Sequence, residues 1–279
     1  MGKFYAGKAW LLAGLLMLWP MLGTAREAVK VGILPTMSPR VLLNNYQPLR
    51  VYLEQTLKRP VLMVTATDFA AFHQSTLAGD YDIVVTAAHL ARLAQLEAGY
   101  LPLATYRAPN RAILMTSRAA PLKSIHDLRG RSIAILDRFA LITGQALLWL
   151  EGHGLREHVD FRLLETPSHN SAAYSVLNGT SALAIISPAG WKQMPASLRD
   201  RLRIYANLPE IPGLMWLANP RLANDAPRLK SALFAFTPNL PPGKQFFDTT
   251  GYQGMRAITP EELQALDPYT RFIQRQPGQ

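Results

Sequence analysis

Polar and aromatic side chains follow three predicted strands of this sequence, at positions where a ligand could be bound. Thr86 and His89 come after one apolar strand, the turn over residues 137–143 follows another, and Ser187 follows a third. Because ligands of open α/β sheets bind at the carboxyl ends of strands, these positions are candidate ligand contacts. Thr86 also fits the cap of the helix that follows it, and a cap that faces a ligand can serve both purposes.

The sequence motifs of several enzyme classes are missing. There is no G-x-x-x-x-G-K-[ST] phosphate loop, no G-x-G-x-x-G after a strand and no G-x-S-x-G nucleophile turn. None of the 6 histidines has zinc-site spacing, and the absence of cysteine excludes disulfides and thiol catalysis. Asp137 ends a strand without a carboxylate partner nearby in the sequence. We therefore predict no catalytic residue, no metal and no cofactor.

The N-terminal residues have the pattern of an export signal. Lys3 and Lys8 precede an apolar run over residues 9–22, and small residues lead up to Ala25. This pattern predicts a signal peptide over residues 1–25 that is cleaved after Ala25, and therefore a periplasmic protein. The alternative is a membrane anchor, but the run has about 14 residues where a membrane-spanning helix needs ~20, and Pro20 interrupts it.

The net charge of +10 is spread along the sequence. Its densest local group is Arg199, Arg201 and Arg203, for which a solvated surface is the simpler interpretation. No Lys/Arg tract is interleaved with aromatic residues, so we predict no nucleic-acid partner. The positive field favours the capture of a small anion.

Strand and helix patterns alternate along the chain, which predicts an α/β protein with parallel sheets and helices on their faces. The alternation restarts near Arg111, and the chain returns near Gly213. We interpret this as two lobes joined by two hinge-crossing segments. Lobe 1 comprises residues 26–110 and 209–279, and lobe 2 comprises residues 111–208. Near the end, residues 259–272 are predicted to form one helix that begins with a Thr259 cap.

Several segments carry a resemblance to a known family. Residues 45–53 (NYQPLRVYL) resemble an aromatic-x-P-L-x-x-Y-L helix start, and residues 77–83 (LAGDYDI) resemble an L-x-x-G-x-x-D-[IV] strand entry. Residues 124–131 (SIHDLRGR) are similar to S-I-x-D-L-x-G-K, and residues 168–179 are similar to a G-S-H-x…V-x-N-G segment. In this order they resemble the periplasmic solute-binding proteins of the phosphonate/phosphite/phosphate (PhnD-like) group of ABC importers.

The resemblance implies a two-lobe, type II periplasmic-binding-protein fold with a ligand bound between the lobes. It implies that Tyr46 lies at the cleft and that His169 contacts the ligand. The family's D-P-x-S-T-S-G anion turn reads DRFALITG over residues 137–144, so only Thr143 and Gly144 remain of the hydroxyl-containing end. We therefore expect a more apolar pocket, with Thr143, His169 and Arg138 as polar contacts and Phe139 as a wall.

The expected function is capture of a small, anionic or phosphonate-like ligand by a monomer that closes around it and delivers it to an ABC permease. One alternative is a ligand sensor that presents its closed state to a membrane signalling kinase. The other is a periplasmic enzyme on the same fold. The expected ligand contacts, taken together, are Tyr46, Thr86, His89, Arg138, Phe139, Thr143, His169 and Ser187.

Overall fold

The computed structural model describes Gly2 and residues 27–275. The predicted signal peptide over residues 1–25 lies outside the described residues, apart from Gly2. No helix of the described part is long and apolar enough to cross a bilayer.

The chain forms alternating strands and helices, as the sequence predicts. The strands are β1 Val29–Ile33, β2 Val61–Val64, β3 Ile83–Thr86, β4 Leu101–Tyr106, β5 Ile113–Ser117, β6 Arg131–Ile135, β7 Phe161–Glu165, β8 Leu183–Ile186, β9 Leu202–Asn207, β10 Met215–Ala218 and β11 Met255–Arg256. The helices are α1 Pro39–Leu57, α2 Phe69–Leu77, α3 Ala88–Ala98, α4 Leu141–Gly152, α5 His169–Leu177, α6 Pro188–Gln193, α7 Ala196–Arg199, α8 Ala226–Ala235, α9 Pro241–Thr250, α10 Pro260–Gln264 and α11 Asp267–Gln274, with 3-10 turns at Ile125–Leu128 and Pro220–Leu222.

Two sheets divide the chain. The first has the order β11-β4-β10-β3-β1-β2, and the second has the order β7-β6-β8-β5-β9. Strands β5 to β9 fall within the predicted lobe 2, and β1 to β4 with β10 and β11 fall within the predicted lobe 1. We keep the lobe boundaries at residues 111 and 208 as a proposal.

Both sheets are mixed, so the prediction of parallel sheets is wrong in part. β1 pairs in parallel with β2 and β3, but β10 lies antiparallel between β3 and β4. In the second sheet β6 is parallel to β7 and β8, whereas β5 is antiparallel to β8 and β9. The antiparallel strands lie beside the points where the chain passes from one sheet to the other.

Local capping explains where several helices begin. The Asp68 carboxylate accepts a hydrogen bond from the Ala71 N–H at 2.8 Å at the start of α2. Ser124 and Thr259 both form capping boxes, the second with Glu262. These bonds satisfy N–H groups that a first helical turn leaves without partners.

The single helix predicted over residues 259–272 is wrong, because the segment forms two helices. α10 ends at Gln264 and α11 begins at Asp267 with Pro268 in its first turn. Proline has no N–H for the preceding turn, and its ring collides with the carbonyl four residues before it, so the helix cannot continue through it. The break redirects α11, which contacts both α3 and α4.

The two sheets are in direct contact. One core cluster contains Val84 of β3 and Leu217 of β10 together with Leu114 of β5 and Ile133 of β6. The two segments that cross between the sheets pair with each other through a bridge between Asn110 and Ile211. The carboxyl ends of β3 and β6 are thereby brought together.

Candidate functional site

The residues after β3 and β6 meet at a junction between the two sheets. The His89 Nε2 atom lies 2.9 Å from the carbonyl oxygen of Phe139. His89 is in the first turn of α3, and Phe139 is in the turn before α4. Thr86, the last residue of β3, is buried beside this turn of chain. We call this contact the strand-end junction.

The environment of His89 keeps its imidazole neutral. Complete burial lowers the pKa of His89 to about 3; the Phe139 carbonyl opposes this shift, and the nearby His73 reinforces it. A neutral ring that bonds to a carbonyl must donate from Nε2, which leaves Nδ1 as an acceptor. That Nδ1 atom is buried and has no hydrogen-bond partner among the described residues. A donor group that reached this atom would complete its hydrogen bonding.

The turn before α4 is closed by its own hydrogen bonds. The Asp137 carboxylate accepts the Phe139 N–H at 2.6 Å, and the Thr143 hydroxyl donates to the Asp137 carbonyl at 2.8 Å. Burial raises the pKa of Asp137 to about 6, although the Phe139 N–H bond acts in the opposite direction. The Thr143 oxygen keeps acceptor capacity after making its own donation.

His169 and Ser187 form a second polar pair, within the second sheet's half. The His169 Nε2 atom and the Ser187 hydroxyl oxygen lie 3.1 Å apart, and the same oxygen accepts the Gly190 N–H at 3.1 Å. Burial lowers the pKa of His169 to about 4, and its Nδ1 is buried without a partner among the described residues. Position 190 must be glycine here, because a Cβ would overlap the His169 ring.

This pair has part of the geometry of a nucleophile and its base. In enzymes of that kind a third group orients the histidine through its other nitrogen. Here no such group bonds to His169 Nδ1 within residues 27–275, and Ser187 serves as the N-cap of α6. The described residues also contain no group of three His, Cys, Asp or Glu side chains that could hold a metal ion.

Arg138 faces away from these atoms into a groove beside α11. Two hydrogen bonds, of 3.1 and 2.6 Å, join its guanidinium to the Glu157 carboxylate, and a second carboxylate, Glu165, lies at 3.5 Å. Its charge is thus compensated within the protein. Phe139 and Phe272 also line this groove, which has a volume of about 740 Å³.

Tyr46 lies in an aromatic cluster of the first sheet's core. It is 1% exposed, its ring centroid is 5.2 Å from that of Phe246, and its hydroxyl accepts a bond from Tyr106 at 3.4 Å. Burial raises the pKa of Tyr46 well above the usual value. The structure therefore groups Thr86, His89, Phe139 and Thr143 at the junction, pairs His169 with Ser187, and surrounds Tyr46 with core residues.

Two residues at the same region were not among the sequence candidates. The Thr36 hydroxyl, just after β1, is buried without a partner among the described residues. Gln145, inside α4, accepts the Ala112 N–H at 2.7 Å and donates to the Pro209 carbonyl at 2.8 Å. Gln145 could have been identified from the sequence, because it is a polar residue within an otherwise apolar helical stretch.

Comparison with known proteins identifies the family. A family model described as the phosphonate periplasmic substrate-binding protein of an ABC transporter matches residues 31–263. The fold is similar to that of PhnD1 from Prochlorococcus marinus in complex with methylphosphonate, with 14% identity, a TM-score of 0.77, and coverage of 89% of this chain and 99% of that chain.

Two further structures share the architecture. One is the periplasmic aliphatic sulphonate binding protein SsuA from Escherichia coli, with 16% identity, a TM-score of 0.64, and coverage of 89% of this chain and 92% of that chain. The other is a histidine kinase sensor domain with similarity to periplasmic binding proteins, with 15% identity, a TM-score of 0.57, and coverage of 82% and 99%. These likenesses confirm the expected type II periplasmic-binding-protein fold. The chain belongs to the family of periplasmic substrate-binding proteins of phosphonate ABC transporters.

Proposed function

We propose that this protein captures a small phosphonate-like anion at the carboxyl ends of the strands and delivers it to an ABC importer. The observation that carries the proposal is a set of buried polar atoms at these strand ends that have no partner among the described residues. They are the Thr36 hydroxyl after β1, His89 Nδ1 after β3 and His169 Nδ1 after β7. Buried polar atoms are normally hydrogen-bonded, so a bound solute would supply the missing partners. Because His89 Nδ1 is an acceptor, its partner would be a hydroxyl group of the ligand, such as the P–OH of a monoanionic phosphonate.

The ligand's acidic group is proposed to lie at the amino end of α4. Free N–H groups and the helix dipole favour an anion there. Thr143 and His169 are the proposed side-chain contacts. Arg138 is already paired with Glu157, and both buried histidines have lowered pKa values, so the site would bind through hydrogen bonds rather than through a free cation.

Binding is proposed to work by closure of the two lobes. The bond between His89 and Phe139 joins residues on opposite sides of the crossing segments, so it can form only when the strand ends meet. A ligand that contacts both sides favours the closed arrangement over the open one in proportion to its difference in affinity. The importer would then recognise the closed arrangement.

A thermal-shift experiment tests the binding step. Methylphosphonate, phosphate and methanesulfonate are each added to the purified protein, and native mass spectrometry of untreated protein detects any solute that co-purifies. A ligand at 100 times its dissociation constant stabilises the folded state by roughly 2.7 kcal/mol. We expect this shift in the wild type and its loss in the Thr143→Ala/His169→Ala variant.

A matched control separates ligand contact from general destabilisation. Thr249 and His126 are exposed residues outside the proposed site, and Thr249→Ala/His126→Ala changes the same residue types. The control should keep the full ligand shift. If the Thr143/His169 variant shows the same shift as the wild type, the site lies elsewhere.

The fold likeness to a kinase sensor domain supports a second candidate, in which the closed state is presented to a membrane signalling kinase. Both candidates share the same binding step. The neighbouring genes distinguish them, because permease and ATPase genes favour transport, whereas a sensor kinase gene favours signalling.

A further inference from the structure

Basic side chains gather at one end of the second sheet, opposite the strand-end junction. β5 is antiparallel to β8 and β9, so its carboxyl end lies beside the amino ends of β6, β8 and β9. Asp137 and Ser187 follow the carboxyl ends of β6 and β8, which lie at the opposite end of the sheet. The exposed basic residues at this end, which we call the distal basic face, are Arg118, Lys123, Arg131, Arg201 and Arg203.

Three of these arginines share one side of the edge ladder. Arg203 pairs with Thr116 in the register of β5 and β9, and the Arg118 N–H donates to the Arg201 carbonyl at 3.0 Å. Since side chains alternate along a strand, Arg118, Arg201 and Arg203 project from the same side. Like charges that face each other across a ladder destabilise a sheet.

Carboxylates compensate this charge only in part, through the attraction of Asp127 to Lys123 and Arg131. Among the described residues, none of the five basic side chains forms an ion pair. The Asp127 carboxylate accepts the N–H groups of Lys123 and Ser124, at 2.9 and 3.0 Å, and so serves to cap a 3-10 turn. Asp200 and Asp160 are also at this end, the latter in an ion pair with Arg129, so the five basic residues and Arg129 outnumber three carboxylates and the face keeps a net positive charge.

The need to protect an edge strand from pairing explains only some of the positive charges of the distal basic face. β9 is the last strand of its sheet, and a charged residue on such a strand prevents pairing with another chain. However, Arg118, Lys123 and Arg131 lie outside β9, and a single charge would serve that purpose. The loop among them, Ala119, Ala120 and Pro121, is exposed and uncharged, and Ile204 of β9 is 37% exposed.

We propose that the distal basic face binds the anionic headgroups of a phospholipid bilayer. Clustered Lys and Arg side chains are attracted to anionic lipid. The small apolar loop between them carries no charge, so it can lie in the headgroup layer without breaking an ion pair. Because this face is at the opposite end of the sheet from the strand-end junction, lipid binding leaves the ligand site free. The interaction holds an exported protein close to the membrane surface.

Vesicle co-sedimentation tests this proposal. The wild type and all variants are prepared with the same N-terminus and mixed with vesicles of phosphatidylcholine alone or of phosphatidylcholine with phosphatidylglycerol. Each basic residue near an anionic surface contributes about 1 kcal/mol, so Arg118→Gln/Arg201→Gln/Arg203→Gln should lower the partition coefficient roughly 100-fold on the anionic vesicles. Binding of the wild type should also fall as salt is added.

A second triple variant controls for net charge. Arg40→Gln/Arg107→Gln/Lys230→Gln removes three exposed positive charges from the first sheet's half. We expect this control to keep most of the wild-type binding, with circular dichroism confirming that both triple variants are folded. Equal losses in the two variants, or no preference for phosphatidylglycerol, would overturn the proposal. So would salt-sensitive binding to a DNA duplex without binding to vesicles.

Discussion

Acid should destabilise this protein because burial holds several of its histidines in their neutral form. Burial lowers the pKa of His89 to about 3 and that of His169 to about 4, whereas both would titrate near the ordinary histidine value in the unfolded chain. Below that ordinary value the unfolded chain binds more protons than the folded one. The free energy of unfolding must therefore fall as the pH is lowered.

The size of the effect follows from the difference in pKa. Each pH unit below an ordinary histidine pKa of about 6.5 costs about 1.4 kcal/mol per buried neutral histidine, so at about pH 5 each contributes a loss of about 2 kcal/mol. Asp137 acts in the opposite direction, because its raised pKa of about 6 means that protonation relieves an unfavourable buried charge. That relief is about 1 kcal/mol over the same range, so these three groups together give a net loss of about 3 kcal/mol between about pH 7.5 and about pH 5. His73, whose pKa burial also lowers, adds to this loss.

Urea unfolding at the two pH values measures this loss. His89→Gln removes one buried imidazole while it keeps a donor for the Phe139 carbonyl, so the pH-dependent loss should shrink by about 2 kcal/mol. His126→Gln changes an exposed histidine and should leave the loss as it is in the wild type. If His89→Gln and the wild type lose stability equally on acidification, then His89 is not a buried neutral group in the folded protein.

Two further substitutions probe the site and the crossing segments. Gly190→Ala should displace the His169 ring and remove the ligand-induced thermal shift, whereas Gly152→Ala, which has open space around its Cβ, should not. Gln145→Leu leaves two groups unpaired, the Ala112 N–H and the Pro209 carbonyl. The free energy of unfolding should therefore fall by about 2–4 kcal/mol in urea titrations. A loss below about 1 kcal/mol would mean that water reaches these groups.

Local sequence signals predicted the helices and strands well, because their causes are local. The predicted Thr259 cap acts within one turn of chain and is confirmed, and Asp68 caps α2 in the same local way. The break after Gln264 could also have been predicted, because Pro268 cannot continue a helix. The helical spacing of the apolar residues across the break favoured a single helix instead. The position of β10 between β3 and β4 depends on contacts more than a hundred residues apart, and no local pattern specifies it.

The contact between two of the strand-end candidates was predictable, but the partners of the other candidate residues were less so. The strand ends predicted His89 and the turn before α4 as candidates, and the fold brings His89 and Phe139, which are 50 positions apart, within hydrogen-bond distance. The pairing of Arg138 with Glu157 was not predictable, because a charge's partner depends on tertiary structure. The same holds for Tyr46, which occupies a family position but is enclosed by Phe246 and other aromatic residues.

The contacts of the crossing segments define where the lobes can bend. Gln145 ties Ala112 and Pro209 to α4, so both positions must move with the second sheet. On the other side, the Tyr106 N–H donates to the Leu214 carbonyl at 3.1 Å, which joins both segments to the first sheet. The Arg107 and Ala108 N–H groups also donate to the Gly254 and Tyr252 carbonyls of the first sheet's half, so we propose that rotation between the two lobes is confined to residues 109–111 and 210–213. The bridge between Asn110 and Ile211 lies inside this interval and couples the two segments, so they must bend together. Gly213 also lies within it, where a Cβ would come within 2.6 Å of the Ala108 carbonyl oxygen, and any larger residue would force the segments apart in the closed arrangement.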